Sequence, residues 1–506
     1  MPQSAITRSL ATLATAVALV GATLSAPSAV AADGGDRKAA VSQSSQRTVL
    51  ANRALVRAQD ALAGKGGDAT LALRDLHMLK DALSPADRAA ANKLAARPKG
   101  KNELKQAGNV LIHYASADFL LSSFTPDDVA ASAVYVSNLY KGAGYRKPKS
   151  DKGKGGTNQT DIYVDQLEPG LYGYCTIDNN TKQPGPGRYD VPAFCVVDAD
   201  YIGFPTNTPL ENLQVTVAHE YFHAVQFAYD FYEDGWGMES TAAWAEDEAY
   251  DGVDDNVQYL ADSPITDQKR SMDKFGGLYH YGVWIFWRYL SETFPKEKGG
   301  MPQIVLDYWK AVDSSKGAKK DRYSTQGLNL VLGHGAYKKL PFDKAFSYFS
   351  DTNRRAKTFY EEGTANNYPE KKLAGSATLA KGASKKFTAK LDHLSSNSYR
   401  FTPGAGSKDL RLSISGAPKA AGTRAVVTVI KAGGKAKQKF VKISAKGKGA
   451  VKVGFKAGDI VAVEVTLVNA STRYLNCFPD RNYSQYACGG KPADQNKAIS
   501  VSGRAV

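Results

Sequence analysis

Two histidines and a glutamate in the stretch HEYFH, residues 219–223, have the spacing of a zinc site. On an α-helix, residues four apart differ by about 40° around the axis, so His219 and His223 project from one face, one turn apart. Both imidazoles can then reach a single metal at roughly 2.1 Å. Glu220 lies beside that position, where it can take a proton from an activated water. The pattern predicts metal-dependent hydrolysis; the competing interpretation is a set of polar residues satisfied within a core.

A third protein ligand is needed, because catalytic zinc takes three and keeps a fourth position open. The stretch GWGMESTAAWAEDEAY carries Glu239, with Ala242 and Ala243 on the same helix face at i+3 and i+4. These small residues would let the two helices approach closely, so Glu239 is the predicted third ligand. Glu246 shares that face and is the alternate ligand, or an acceptor for a histidine N–H. Otherwise, Glu239 is an ordinary first-turn acid favoured by the helix dipole.

The helix that carries HEYFH has a marked start. Thr208-Pro209-Leu210-Glu211 is a capping box with proline at the first helical position. Apolar side chains then recur all round the helix as far as residue 228, which is typical of a buried helix. His219, Glu220 and His223 are therefore expected inside the protein, where unpaired polar groups are costly.

The motifs can now be compared with a known family. HEYFHAVQF followed by W-x-x-E-S-T-A-x-W-x-E, within about residues 205–295, resembles the gluzincins, zinc peptidases in which a glutamate on the next helix completes the HExxH site. It is especially similar to bacterial secreted metalloproteases with an HExxH…E-[GS]-x-A-x-W pattern. The resemblance implies a zincin-like catalytic domain, one catalytic Zn²⁺ on His219, His223 and Glu239, and Glu220 as general base.

One further motif belongs to the same resemblance. Tyr279-His280-Tyr281-Gly282 is similar to the Y-x-x-G of aminopeptidase-like gluzincins, whose tyrosine donates a hydrogen bond to the oxyanion. That match implies Tyr279 as a catalytic residue, with His280 or Tyr281 as alternates. The competing interpretation is that these aromatic residues pack a helix. The amino-terminus anchor motif of aminopeptidases is not evident, so the resemblance does not favour exopeptidase activity.

The first residues and the cysteines indicate export. Residues 1–32 have a basic start, an apolar run and small residues, which predicts a signal peptide cleaved near Ala32. No later stretch is long and apolar enough for a membrane helix, so a soluble, secreted protein is expected. Four cysteines allow three pairings; short loops favour two disulfides, Cys175–Cys195 and Cys477–Cys488.

The sequence predicts an α+β fold. Changes in composition and residue pattern divide the chain into three parts after the predicted signal peptide. Residues 33–105 are alanine-rich and helical, either a propeptide or an N-terminal subdomain. Residues 106–372 combine a small sheet, the active-site helix and further helices in the predicted catalytic domain. Residues 373–506 contain short β segments at roughly ten-residue spacing, which is the rhythm of a β-sandwich.

The net charge and the positions of the lysine-rich runs indicate which kinds of binding partner are expected. The net charge is +15, with lysine-rich runs at 146–156, 314–322 and 431–449. These runs lack interleaved aromatic residues and the protein is expected to be exported, so no nucleic-acid partner is predicted. They are either solvated loops or a surface that attracts an anionic cell envelope or an acidic substrate. The protein is expected to be a monomer.

A second metal is considered at AEDEAYDGVDDN, residues 245–256. The stretch has enough carboxylates for Ca²⁺, but its spacing matches no EF-hand loop. A solvated acidic loop is the expected structure, and Glu233 and Glu248 are also expected to be exposed.

The function predicted from these observations is that of a secreted zinc endopeptidase acting on protein or peptide substrates. There is no GxSxG motif, and all four cysteines have partners available, which excludes serine and cysteine nucleophiles. Two alternatives stay open: a zinc hydrolase of non-peptide substrates, and an envelope-binding protein with an inactive zinc site.

Overall fold

A computed structural model describes residues 34–181, 189–204, 206–318, 320–477 and 485–506. The predicted signal peptide, residues 1–32, lies outside them. The chain divides into two units, residues 1–47 and 48–506; in the first, residues 34–47 are helical. Helices make up 37% and strands 24% of the structure, which confirms the α+β class.

The N-terminal segment is helical, as predicted. Its helices are α1 (Gly34–Leu62), α2 (Ala69–Leu79) and α3 (Pro85–Leu94). Asp68 caps α2, since its Oδ1 accepts a hydrogen bond of 2.7 Å from the backbone N–H of Leu71. Ser84 caps α3 in the same way through the N–H of Asp87.

The first sheet has five strands and begins at residue 103, just before the predicted domain boundary. The strands are β1 (Glu103–Ala107), β2 (Val110–Tyr114), β3 (Thr160–Asp165), β4 (Gly173–Thr176) and β5 (Phe194–Asp198). Their order is β1-β2-β3-β5-β4, in which β2, β3 and β5 are parallel and the edge strands β1 and β4 are antiparallel to their neighbours. Helix α4 (Pro126–Ala143) connects β2 to β3 and starts at a Thr125–Asp128 capping box.

Both faces of this sheet are covered. In β5, Cys195 and Val197 belong to the apolar cluster that contains α4 and the HEYFH helix, whereas Phe194 and Val196 belong to a cluster with α1, α2 and α3. Successive side chains of a strand point to opposite faces. Residues 51–95 of the N-terminal helices therefore pack on one face of the sheet, against β3, β4 and β5, and residues 48–506 form one unit.

Residues 208–345 are mostly helical, as the sequence predicts, and helical structure continues to residue 359. The helices are α5 (Pro209–Gln226), α6 (Gly235–Ala249), α7 (Tyr279–Gly282), α8 (Trp284–Thr293), α9 (Gln303–Ala311), α10 (Ser324–Val331), α11 (Phe342–Thr352) and α12 (Ala356–Phe359). A short hairpin, β6 (Glu297–Lys298) with β7 (Met301–Pro302), lies between α8 and α9.

The C-terminal region is rich in sheet. Its longer strands are β8 (Leu373–Leu379), β9 (Ser384–Leu391), β10 (Ser395–Pro403), β11 (Asp409–Ser415), β12 (Thr423–Lys431), β13 (Ala436–Phe440), β14 (Lys448–Gly454), β15 (Ile460–Asn469) and β18 (Lys497–Ala505). A small pair of strands, β16 (Tyr474–Leu475) and β17 (Lys491–Pro492), lies between β15 and β18 in the chain. The longer strands form two sheets, of order β13-β12-β15-β10-β8 and β14-β11-β18-β9. Both sheets contribute to a single apolar cluster separate from that of α5. The lysines of β13, Lys437 and Lys439, are exposed; contact with an anionic envelope stays a prediction.

Both disulfides pair as the short loops favoured. Cys175–Cys195 joins the neighbouring strands β4 and β5 at directly opposed positions, and Cys477–Cys488 closes a loop near the C-terminus. Such bonds are consistent with an extracellular protein. Within the described ranges, no helix has the length and apolar character needed to span a membrane.

Candidate metal centre

Helix α5 starts at the residue that the sequence predicts, and the part that carries the HEYFH motif is buried. The backbone N–H of Thr208 donates to Glu211 Oε2 at 2.8 Å, and Thr208 Oγ1 accepts from the N–H of Glu211. Every residue from 215 to 226 is buried. The helix therefore lies inside the protein, and its polar side chains must find partners there.

Two histidines of α5 and one glutamate of α6 come together. His219 Nε2 lies 3.1 Å from Glu239 Oε2, and His223 Nε2 lies 3.3 Å from Glu239 Oε1. The three donor atoms lie within 4.8 Å of one another, as ligands of one metal must. Ala242 and Ala243 are fully buried on α6, in agreement with the expected close approach of the two helices.

Hydrogen bonds fix which nitrogen of His223 is free. The amide Nε2 of Gln226 donates to the carbonyl of Met238, at 2.9 Å, and to Thr241. The Oε1 of Gln226 must then accept, so His223 Nδ1, 2.7 Å away, is the N–H donor. The lone pair of His223 is thus on Nε2, which faces Glu239. This is the tautomer that a metal ligand requires.

Glu246 fixes the tautomer of His219, as Gln226 fixes that of His223. Its Oε1 accepts from His219 Nδ1, which leaves Nε2 directed at Glu239. Glu246 is thus placed as the hydrogen-bond acceptor that the sequence left as one of two alternatives, behind the histidine rather than among the three clustered donor atoms. Burial raises the pKa of Glu246 to about 7, although His219 opposes the shift.

The electrostatics of the three donor residues favour a cation between them. Burial alone would lower the pKa of His219, but its bonds to Glu239 and Glu246 outweigh burial and raise that pKa well above the ordinary value. Burial likewise opposes ionisation of Glu239, yet the two histidines lower its pKa well below the usual range. A divalent metal would replace the proton that the cluster otherwise retains, so metal binding should release protons.

Glu220 lies on the neighbouring face of α5 and lines a cavity of about 190 Å³ with His219 and Glu239. Burial raises the pKa of Glu220, which brings it closer to the range useful for a base at neutral pH. Thr70 Oγ1 donates to Glu220 Oε2 at 3.3 Å and itself accepts from the backbone N–H of Cys175 at 2.9 Å.

The N-terminal segment thus contributes to this cavity, which the sequence analysis missed. Asp68 and Thr70, at the start of α2, line it opposite α5. Asp68 caps the helix, and that local capping pattern was the only sequence signal it carried. Nothing in the spacing of residues 68–70 indicates proximity to residues 219–239, because the approach depends on how α2 packs over the sheet.

The three candidates for stabilising the oxyanion, Tyr279, His280 and Tyr281, differ in whether they line the cavity. Tyr279 is not among the residues that line the cavity, and its hydroxyl donates to the carbonyl of Arg270 at 3.1 Å. Tyr281 lines the cavity, with its ring centre 5.9 Å from that of His219. Its hydroxyl donates to Asp68 Oδ2 at 3.2 Å. The geometry favours Tyr281, an alternate, over Tyr279 for contact with a bound substrate.

His280 is buried and is held by its own surroundings. Its Nδ1 accepts from the backbone N–H of Gly276, and its ring stacks on Phe275. Burial lowers the pKa of His280 to about 4, so it is neutral near neutral pH. A neutral, packed imidazole outside the cavity lining is less suited to stabilise an oxyanion than the Tyr281 hydroxyl.

Two expectations about acidic residues are wrong. Glu233 is buried, 1% exposed, and accepts from the N–H of Ser324 at 2.9 Å; Glu248 is partly buried and faces Arg288. The stretch 245–256 is not a solvated loop, since its first five residues end α6, and Asp247 is buried. Local composition predicted exposure, whereas partners distant in sequence cover these carboxylates.

Comparisons with known proteins add little. No protein-family model and no curated protein sequence matches this chain. The pre-peptidase C-terminal domain of collagenase from Bacillus anthracis is 8% identical, over 27% of this chain and 99% of that one, with a TM-score of 0.17. PliG of Salmonella Typhimurium, a periplasmic inhibitor of g-type lysozyme, is 10% identical over 26% and 100%, with a TM-score of 0.15. AlgX of Pseudomonas aeruginosa is 10% identical over 84% and 99%, also with a TM-score of 0.15. Similarities at these TM-scores carry no inference about fold or function.

Proposed function

We propose that the protein is a secreted zinc endopeptidase of gluzincin type with a zincin-like catalytic domain. The observation that carries the proposal is the convergence of His219 Nε2, His223 Nε2 and the Glu239 carboxylate, all buried. Two imidazoles and one carboxylate are the ligand set of many catalytic zinc ions. Gln226 and Glu246 hold both imidazoles in the tautomer that such a site needs.

The residues present fit a zinc ion, and the cavity next to them gives a substrate access. Zinc bound by the three residues supplies Lewis-acid activation of a water molecule and of the scissile carbonyl. Glu220, in the same cavity, accepts the proton of the attacking water and returns it to the leaving amine. The Tyr281 hydroxyl, which donates to Asp68 without substrate, would turn its single proton to the oxygen of the substrate on which negative charge develops.

The cavity also supports a preference for positively charged substrate groups. Its described lining includes five carboxylate residues and no lysine or arginine; the five are Asp68, Glu220, Glu239, Glu246 and Asp255. Burial raises the pKa of four of them, Asp68, Glu220, Glu246 and Asp255, so a bound cation would favour their ionised forms. A free amine or a basic side chain is therefore the cation that the remaining carboxylates would accept.

The experiment is zinc stoichiometry combined with cleavage of casein and of a peptide library. Wild type should bind one Zn²⁺ and cleave, and Glu220→Gln should retain zinc but lose about 10²–10⁴-fold in kcat. Glu370→Gln, at an exposed position outside the cavity lining, is the matched control and should behave as wild type.

Two outcomes would overturn the proposal in different ways. If neither His223→Ala nor Glu239→Ala lowers zinc content, the assigned ligands are wrong. If wild type binds zinc but cleaves no peptide, either with residues 33–105 attached or without them, the endopeptidase assignment is wrong. A zinc hydrolase of non-peptide substrates or an inactive zinc site then takes its place.

A further inference from the structure

A second cluster of oxygen donors lies at the end of α6, apart from the histidine cluster. One carboxylate oxygen each from Asp247, Asp254 and Glu362 lies within 4.8 Å of the other two. Two oxygens bound to the same Ca²⁺ at 2.3–2.6 Å are at most about 5 Å apart. The three carboxylates can therefore reach one cation together, although Glu362 comes from the segment after α12.

An unsatisfied amide beside the cluster also points to a ligand. The side chain of Asn256 is buried, with 1% exposure, and neither its Oδ1 nor its Nδ2 has a hydrogen-bond partner in the described part of the chain. Its amide lies close enough to Asp247 to lower the pKa of that carboxyl, although the geometry is not that of a hydrogen bond. The two oxygens of Asp247, a fully buried side chain, also lack hydrogen bonds among the described residues. Apart from the ion pair between Asp247 Oδ2 and Arg288, these buried atoms have no partner among the described residues, whereas buried polar atoms normally have one.

The nearest cation in the fold, Arg288, does not balance the charge. Its guanidinium lies 3.2 Å from Asp247 Oδ2 and 3.1 Å from Glu362 Oε1, and it is shared with Glu248 and Glu292. One positive charge thus faces four carboxylates, and Asp254 adds a fifth. Burial and the neighbouring Asp247 raise the pKa of Glu362 to about 8, as expected where negative charge is in excess.

We propose that Asp247, Asp254 and Glu362, beside the buried amide of Asn256, bind one calcium ion. The donors are all oxygens, which suits a hard cation rather than zinc. They come from a helix, a loop and a distant segment, and calcium tolerates such irregular coordination better than magnesium, which demands near-ideal octahedral geometry. The ion joins the end of α6, the loop that follows it and the segment after α12.

The test uses the full chain, freed of metal with EGTA, dialysed to remove the chelator, reloaded with Zn²⁺ and titrated with CaCl2 in a calorimeter. One saturable site per chain is expected, with a Kd of about 10⁻³ M or tighter, as in extracellular calcium modules. At about ten times that Kd, Ca²⁺ should raise the thermal unfolding midpoint by about 2 °C. Zinc only fills the histidine cluster and cleavage activity is not measured, so the result is distinguishable from that of the test of the proposed function.

Two variants locate the site. Asp254→Asn and Glu362→Gln, both at partly exposed positions, should each weaken Ca²⁺ binding about ten-fold or more, because each loses a charged ligand. Asp459→Asn, at an exposed turn of the C-terminal sheets, is the matched control and should bind as wild type. Absence of saturable binding by wild type up to about 10 mM Ca²⁺, ten times the weak end of the expected range, would overturn the proposal. So would unchanged affinity in both variants.

Discussion

At the scale of single residues, the orientation of two imidazoles determines what the cluster can bind. The spacing of HEYFH predicted that His219 and His223 share a helix face, because helical geometry is local. Their tautomers could not be predicted, since they depend on Gln226 and Glu246. Glu246 was recognised as an alternative in sequence, but Gln226 was not, because a glutamine three residues after a histidine has no distinctive signal.

Replacement of Gln226 tests this role. Gln226→Leu removes the acceptor for His223 Nδ1, so the ring loses its fixed tautomer and zinc affinity should fall about 10–100-fold. Competition with a fluorescent chelator measures the change. Gln214→Leu, at a partly buried position on the same helix, is the control. Equal zinc affinities in the two variants would contradict the role of Gln226.

The two tyrosines are predicted to behave differently. Tyr281→Phe should lower kcat about 10²-fold, as expected for loss of a hydrogen-bond donor to the oxyanion. Tyr279→Phe loses only the bond to the Arg270 carbonyl and should cost about 1 kcal/mol of stability, with kcat retained. Steady-state kinetics and thermal unfolding of both variants separate these effects. The reverse pattern would restore Tyr279 as the oxyanion donor.

At the scale of elements, helix starts were predictable and helix partners were not. The capping box at Thr208 was predicted from adjacent residues, and α5 begins there. The packing of α2 over the sheet brings Thr70 to Glu220 across 150 residues of chain, and no local pattern encodes that approach. The sequence leaves open whether residues 33–105 are removed as a propeptide. Their packing against the first sheet favours their retention.

Thr70 provides the test at this scale. Its hydroxyl accepts from the N–H of Cys175, so its hydrogen is directed to Glu220. Thr70→Val keeps the shape, removes this orientation and should lower kcat about ten-fold with zinc content unchanged, which corresponds to about 1.4 kcal/mol. Thr70→Ser retains the hydroxyl and should restore activity.

The intact mass of the secreted protein is the accompanying control. It should include α2, since Thr70 acts only while that helix is attached. A fully active protein that begins after residue 105 would show that α2 has no part in catalysis.

At the scale of the whole molecule, a buried ion pair connects the C-terminal sheets to the segment before α7. His393 Nε2 lies 2.6 Å from Asp273 Oδ1, and both side chains are fully buried. Burial opposes both charges, but Asp273 raises the pKa of His393, and His393 lowers that of Asp273. The β rhythm of residues 373–506 predicted the sheets, whereas this contact joins residues 120 apart and has no sequence signature.

The pair makes stability depend on pH in a definite direction. The raised pKa of His393 gives stability that is complete below the unfolded value, about 6.5, and is lost as pH rises through the folded value. The lowered pKa of Asp273 gives stability that is present above about 3.9 and is lost as pH falls through its folded value. Both contributions are therefore present between about pH 4 and 6.5.

Urea unfolding at pH 5.5, 7.0 and 8.5 tests the pair. Wild type should lose stability across this series, and His393→Gln should be about 3–5 kcal/mol less stable at pH 5.5, because Asp273 is left buried without its partner. The variant should also depend less on pH. His334→Gln, at an exposed histidine, should match wild type. Parallel pH curves for wild type and His393→Gln would show that the pair carries no pH dependence.

The central claim is a zinc ion held by His219, His223 and Glu239, and X-ray absorption at the zinc edge of the purified, zinc-loaded protein tests it most directly. The predicted spectrum shows two imidazole ligands and light-atom scatterers at about 2.0–2.2 Å. His223→Ala should lose one imidazole contribution. A sulfur contribution at about 2.3 Å, or an imidazole contribution unchanged in His223→Ala, would contradict the account.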